Sequence, residues 1–324
     1  MIQLINPENG AALLRIKGGY SDRMGNLFPV SNGVIPFVRD NNYTDSFGFQ
    51  WNKFRQTQID RNNVNSQQSE IRFFAETGWD KEDLSGKNVL ELGSGAGRFS
   101  QVFLDNTKGN LYSVDYSKAV VANYKNNGHH GEERFKLFRA SVYEMPFAAN
   151  SFDKVFCLGV LQHTPDFQRS LQCLVEKTKP GGELVVDFYP IKGWWTKIHA
   201  KYIFRPITRR MSHARLLRLI EKNISWLMRW YFFFDKIGLG KLVNRFLPVC
   251  DIKGTIPSNL NSKELREWVI LDTFDMFSPE HDHPQRISTV KKWLEEAGMK
   301  VTFAETIQYG REKFTASVVR AIKS

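Results

Sequence analysis

Val89-Leu90-Glu91-Leu92-Gly93-Ser94-Gly95-Ala96-Gly97-Arg98 is the stretch whose reading decides the fold. Its apolar start reads as a buried strand, its glycines as a tight turn, and Phe99 to Leu104 as the helix that follows. Glycines at such a turn let the backbone bend sharply and let a ligand approach the main chain. The spacing is E-x-G-x-G-x-G. The dinucleotide fingerprint G-x-G-x-x-G needs its third glycine one place later, where Arg98 stands. The turn therefore does not read as an NAD site.

The residues downstream extend the pattern. Asn110 to Val114 reads as a second strand, with Asp115 at its end, where a carboxylate can accept both hydroxyls of a ribose. Phe135 to Ala140 alternates as a third strand and runs into Ser141-Val142-Tyr143-Glu144-Met145-Pro146-Phe147, then Ser151-Phe152-Asp153. Val155 to Val160 reads as a buried fourth strand leading to Leu161-Gln162-His163-Thr164-Pro165. Lys179-Pro180-Gly181-Gly182 turns into a fifth strand, Glu183 to Phe188.

In order and spacing these five elements resemble the core of class I S-adenosylmethionine-dependent methyltransferases of the bacterial type-11-like kind, over roughly residues 70–190. The resemblance implies an α/β fold: a seven-stranded, doubly wound Rossmann-like sheet, with a helical insertion after the fifth strand. It implies S-adenosyl-L-methionine as cofactor and methyl transfer as activity. It assigns cofactor binding to Glu91, Gly93, Ser94, Gly95, Asp115, Tyr116, Ser141, Val142 and Leu158, with Ser141 and Val142 flanking the adenine. Arg72, on an expected helix from Ser69 to Glu76, is placed to pair with the methionine carboxylate; the alternative is a solvated helix arginine.

Composition agrees with a soluble globular chain: of 324 residues, 42% are hydrophobic and 24% charged. No apolar run approaches the ~20 residues needed to cross a bilayer. Met1 to Pro7 has neither the charged start nor the apolar core of a signal peptide. Cys157, Cys173 and Cys250 are too scattered for a disulfide framework or a zinc site, so a cytoplasmic location is expected. The net charge of +11 is concentrated: Ile191 to Lys253 holds fourteen Lys and Arg against Glu221, Asp235 and Asp251. Trp194, Trp195, Trp226 and Trp230 lie in the same stretch.

The expected organisation is an N-terminal extension over 1–65, a core over 66–190 and 271–324, and a basic, aromatic helical insertion over 191–270. In the extension, Leu27 to Val38 reads as two short strands around an Asn32-Gly33 turn. It resembles a ribbon that precedes some bacterial methyltransferase domains but lacks that ribbon's zinc-binding cysteines. The Phe47-Gly48-Phe49-Gln50-Trp51 segment is similar to one found before the core in such proteins. Its aromatics either pin the extension to the core, or Gln50 or Trp51 helps to close the cofactor pocket. In the insertion Leu216, Ile220, Ile224, Leu227 and Tyr231 recur at helical spacing, with Arg218, Lys222, Ser225 and Arg229 opposite. That face either packs on its own domain, or meets a membrane or an anionic substrate. Leu265 to Leu271 reads as a short helix, Asp272 to Gln285 as a polar loop, Ser288 to Ala297 as a helix, and Lys300 to Gln308 and Lys313 to Ile322 as the last two strands.

His163 follows the fourth strand, whose end faces the substrate in this fold. It is either a general base or a brace for its loop. His281-Asp282-His283 lacks a third ligand at firm spacing, and no metal is expected. The expected acceptor is an oxygen or nitrogen atom of a small-molecule, glycan or lipid-linked compound, anionic or amphiphilic. Ile191 to Lys253 would form a lid over it and offer peripheral membrane contact. The alternative is an RNA methyltransferase using the basic insertion to hold phosphates. Against a nucleic-acid partner, Leu161-Gln162-His163-Thr164 stands where a base-flipping enzyme would carry its D/N-P-P-Y motif. Nothing in the sequence sets the oligomeric state.

Overall fold

The computed structural model describes residues 2–38, 42–62, 67–79, 82–191 and 193–324, the Lys197 side chain excepted. Met1 and the expected boundary at residues 65 and 66 fall outside them. Strands β1 (Leu14–Ile16), β2 (Gly19–Ser21) and β3 (Leu27–Pro29) form a small antiparallel sheet, and β4 (Val34–Pro36) follows. Asn32 and Gly33 take the positive φ values of a tight turn, 49° and 71°. The expected hairpin is nevertheless only one bridge deep, Ser31 to Val34. β3 stays with β2, while β4 joins the large sheet, pairing Val34 with Leu137 and Ile35 with Phe138. That edge buries Val34 and Ile35, which a two-stranded ribbon would leave wet.

Helices α1 (Asp45–Lys53) and α2 (Gln68–Thr77) lead into the core. The core runs β5 (Asn88–Leu92), α3 (Arg98–Asn106), β6 (Asn110–Asp115), α4 (Val120–Asn127), β7 (Phe135–Arg139), β8 (Phe152–Cys157), α5 (Phe167–Lys177) and β9 (Thr178–Phe188). After an inserted helical unit come α11 (Ile287–Glu296), β10 (Met299–Tyr309) and β11 (Phe314–Lys323). The sheet order is β10-β11-β9-β8-β5-β6-β7-β4, with β11 antiparallel to both neighbours. This is the expected seven-stranded sheet with β4 added as an eighth. Neighbouring residues divide between its faces. Leu90, Tyr112, Phe138 and Cys157 pack with Leu171, Leu174 and Leu294; Val89, Leu111, Leu137 and Phe156 pack with Phe73, Phe103 and Val120. β8 stops at Cys157 rather than Val160, because Gly159 turns the chain with a φ of 76°. From β5 the chain moves one way through β6 and β7 and the other way through β8 and β9, so a crevice opens at the carboxyl ends of these strands.

The inserted unit holds α6 (Ala200–Thr208), α7 (His213–Lys236), α8 (Gly240–Val243), α9 (Ile252–Thr255) and α10 (Ser262–Phe277). α7 buries Leu216, Ile220, Ile224, Leu227 and Tyr231 against Trp268, Val269 and Phe274 of α10, each buried apolar side chain contributing roughly 1.5–3 kcal/mol. α10 is longer than the sequence suggested. Asn261 and Glu264 form a reciprocal capping box at its start, and burial of Thr273, Phe274 and Phe277 carries it through the expected boundary at 270. Asp272 and Asp275 therefore lie on a helix, not in a loop. Phe54, just after α1, is buried in the same apolar cluster.

A buried ionic contact fastens this unit to the core. Asp282 lies 2.9 Å from both Lys201 and Arg205 of α6. Arg205 also donates to the carbonyls of Pro279 and His281, at 2.5 and 2.9 Å. Its Nη1 sits off the hydrogen-bond direction of Asp282, so that contact is an ion pair without a directed bond. Burial raises the Asp282 pKa, but Lys201, His163 and Arg205 outweigh it and hold the carboxyl below its ordinary value. Asp282→Ala leaves two buried cations unbalanced, so stability in urea unfolding should fall by about 3–5 kcal/mol. Since the folded pKa is lowered, the carboxylate's contribution is present above its unfolded value and should disappear as pH falls below about 4. An unfolding midpoint that the substitution leaves unmoved would contradict this.

Candidate active site

The crevice deepens into a cavity of about 920 Å³ lined by the glycine turn, α1, α2, the loops after β6, β8 and β9, and α10. The turn is built by packing. A Cβ on Gly93 would fall 2.2 Å from Val160, and one on Gly97 2.1 Å from Asn123, and both residues have positive φ. Asp115 accepts from the Gly95 amide at 2.8 Å and from the amide and hydroxyl of Ser117 at 2.8 and 2.6 Å. Burial pushes its pKa up, and those hydrogen bonds oppose it. Gly93, Ser94, Gly95, Asp115, Tyr116, Val142 and Leu158 all line the cavity. Trp51 stands over the turn, with its indole nitrogen 3.3 Å from the point a Gly95 Cβ would occupy.

The opposite wall carries His163, Gln50, Asp272 and Asp275. His163 is buried, and its Nδ1 lies 3.1 Å from the His281 carbonyl oxygen. A carbonyl only accepts, so Nδ1 carries the proton and Nε2 holds the free lone pair. Burial lowers the His163 pKa, while Asp275 and Asp282 act in the opposite sense. The ring packs against Phe47 and Tyr189. Gln50 donates to Asp275 at 3.3 Å, and its Oε1 is buried without a partner. Asp272 is pushed up to about 7 by burial in the cavity wall and by the charge of Asp275.

These are the parts of a nucleoside-binding crevice with a second, polar half beside it. Residues 90–186 match the family described as "Methyltransferase domain". The chain carries a class I S-adenosylmethionine-dependent methyltransferase domain. Among its curated relatives is an uncharacterized protein of Synechococcus, 24% identical over 67% of this chain and 48% of its own length. A tRNA U34 carboxymethyltransferase of Nautilia profundicola is 32% identical over 34% of this chain and 37% of its own. A ubiquinone biosynthesis O-methyltransferase of Coxiella burnetii is 28% identical over 43% of this chain and 60% of its own. The chain thus spans half or less of the first two relatives it matches.

The methyltransferase domain departs from the sequence reading at three positions. Glu91 does not reach the cavity. It alternates to the far face of β5, where its carboxylate takes the hydroxyls of Ser100 and Ser113 and burial raises its pKa to about 7. It braces the turn from beneath. Ser141 also turns away, its hydroxyl accepting the Tyr143 amide at 3.2 Å to cap a short 3-10 turn. Arg72 does line the cavity, but Glu76 and Asp187, at 2.7 and 2.6 Å, already balance its charge. Arg98 was not singled out as a binding residue. It is a cavity-wall guanidinium bonded to the neutral Gln58 and Ser69, with no ion pair among the described residues, and burial and then Arg72 bring its pKa down to about 10. Its signal lay in plain view as the residue that breaks the dinucleotide fingerprint.

The residues present fit S-adenosylmethionine: a glycine cradle, a carboxylate beside it, apolar Val142 and Leu158, and a guanidinium lacking an anion. Asp115→Ala should weaken binding of the demethylated cofactor by about 1.5–3 kcal/mol, the loss expected for charge-assisted hydrogen bonds. Calorimetry checks it, with NAD as a control that should bind poorly.

Proposed function

We propose that this chain methylates a hydroxyl group of a small, hydroxyl-bearing amphiphilic acceptor, with His163 as general base. S-adenosylmethionine supplies an electrophilic methyl group on its sulfonium. Gly93, Gly95, Asp115 and Val142 hold the nucleoside, and Arg98 attracts the carboxylate. The observation that carries the reading is the contact of His163 Nδ1 with the His281 carbonyl at 3.1 Å: the carbonyl can only accept, which leaves Nε2 of this cavity-lining residue as the basic atom. Nε2 takes the acceptor's hydroxyl proton as the oxygen gains the methyl group, giving a methyl ether and the demethylated cofactor. Gln50, Asp272 and Asp275 offer acceptors for further hydroxyls. Asp272, near 7, is divided between its protonated and ionised forms at neutral pH and can donate or accept.

The exposed cations of α7 do not serve the acceptor: Arg218, Lys222 and Arg229 are not on the cavity wall, and Lys201, which is, pairs with Asp282. A relative that acts on tRNA matches over only 34% of this chain. Methyl-donor turnover against lipid, polar-metabolite and RNA fractions should appear in the lipid or polar fraction; turnover confined to RNA would overturn the proposal.

His163→Gln should lower transfer by about 10²–10⁴-fold while leaving affinity for the demethylated cofactor unchanged. Because burial lowers the His163 pKa, the base form persists into mild acid. The rate should therefore rise with pH through an inflection below the ordinary histidine value of about 6.5 and be flat above it. An inflection that survives in His163→Gln would assign the base elsewhere.

A further inference from the structure

The outer face of the inserted unit carries two adjacent lines of side chains that nothing in the fold covers. On α7 and at its C-terminal cap, Leu219, Trp226, Trp230 and Ile237 are spaced seven, four and seven residues apart, so they lie along one line of the helix. All are exposed, Trp226 to 53% and Trp230 to 46%. Arg218, Lys222, Arg229 and Lys236 lie beside that line on the same outer side. Among the described residues none of these four cations has an ion-pair partner. The two acids of α7 are both taken, Glu221 by Lys53 and Asp235 by Lys253. The apolar line continues past the helix end through Leu239, Leu242 and Phe246, again exposed. Arg245 ties this segment to the Trp194–Ile198 turn by bonds to the carbonyls of Trp195 and Ile198, and Trp194 is 80% exposed. Aromatic and aliphatic side chains on one line, with unneutralised cations on the next, is the pattern of a helix that lies in a membrane interface.

We propose that this face docks on an anionic bilayer, with α7 lying along the headgroup region and its tryptophans inserted. Charge complementarity selects this occupant over a second copy of the chain. A symmetric dimer would press the same cations against each other, whereas acidic lipids neutralise them. The contact is peripheral, since no described helix is long and apolar enough to cross a membrane. The same unit supplies Ile191, His199 and Lys201 to the cavity wall, so the docking face and the cavity share one structural unit. This deepens the amphiphilic-acceptor reading and rests on it for its purpose, but its test uses no turnover.

The test is co-sedimentation of the full chain with vesicles of phosphatidylcholine and phosphatidylglycerol, against pure phosphatidylcholine. Binding should be strong on the anionic vesicles and weaken with salt. Lys222→Gln and Arg229→Gln should each cost roughly fivefold in partitioning. Trp226→Ser with Trp230→Ser should remove the binding that persists at high salt. Unchanged affinity for the demethylated cofactor shows that each variant is folded. No binding by the native chain, or binding indifferent to all four substitutions, overturns the proposal. So does a solution dimer that the tryptophan substitutions dissociate, because a second copy would then be the occupant. Vesicle binding without transfer to any lipid or polar acceptor leaves the docking face standing and removes the acceptor reading.

Discussion

The carbonyl oxygen of His281 is the contact on which the arrangement depends. It accepts from His163 on one side and from Arg205 on the other. The first bond fixes which histidine nitrogen is basic, and the second comes from the inserted helices. Asp282, the next residue, balances Lys201 and Arg205. One short segment thus seats the insertion and orients His163 together. The insertion is a structural part of the cavity wall, and the bond from Arg205 ties its placement to the atom that sets the histidine tautomer.

The strand-turn-helix unit and the order of the core strands were legible because their signals are local. Apolar runs, a glycine turn and an acid at a strand end sit within a few residues of each other. The hidden features depend on distant partners. Gln50 meets Asp275 and Phe54 enters a cluster made by residues 216–277, neither of which any window of sequence reveals. Glu91 and Ser141 carry the right chemistry in the right motif, yet strand alternation and a local amide turn them from the cavity. Arg72 was legible as a cavity residue, but its two acidic neighbours were not.

Charge shows the same division between what composition reports and what folding decides. The net +11 of the chain equals the excess carried by the insertion, where Arg218, Lys222, Arg229 and Lys236 are exposed and Arg205 is buried. Inside, the cavity wall is mixed, with Asp187, Asp272 and Asp275 beside Arg72, Arg98 and Lys201. A sum over residues cannot separate an outer basic surface from an inner wall of mixed charge, and the two suit different molecules.

The wall formed by α1 and α10 has a consequence for the order of assembly. Gln50 and Asp275 are separated by 225 positions, and Thr57 and Glu267 by 210. Contacts of such sequence separation carry a large loop-closure cost and form after local structure is in place. The central strands can pair as they emerge from synthesis, whereas α1 must wait for α10 before Phe54 is covered. This wall of the cavity is accordingly completed late, and a nascent chain cannot form it until α10 has been made.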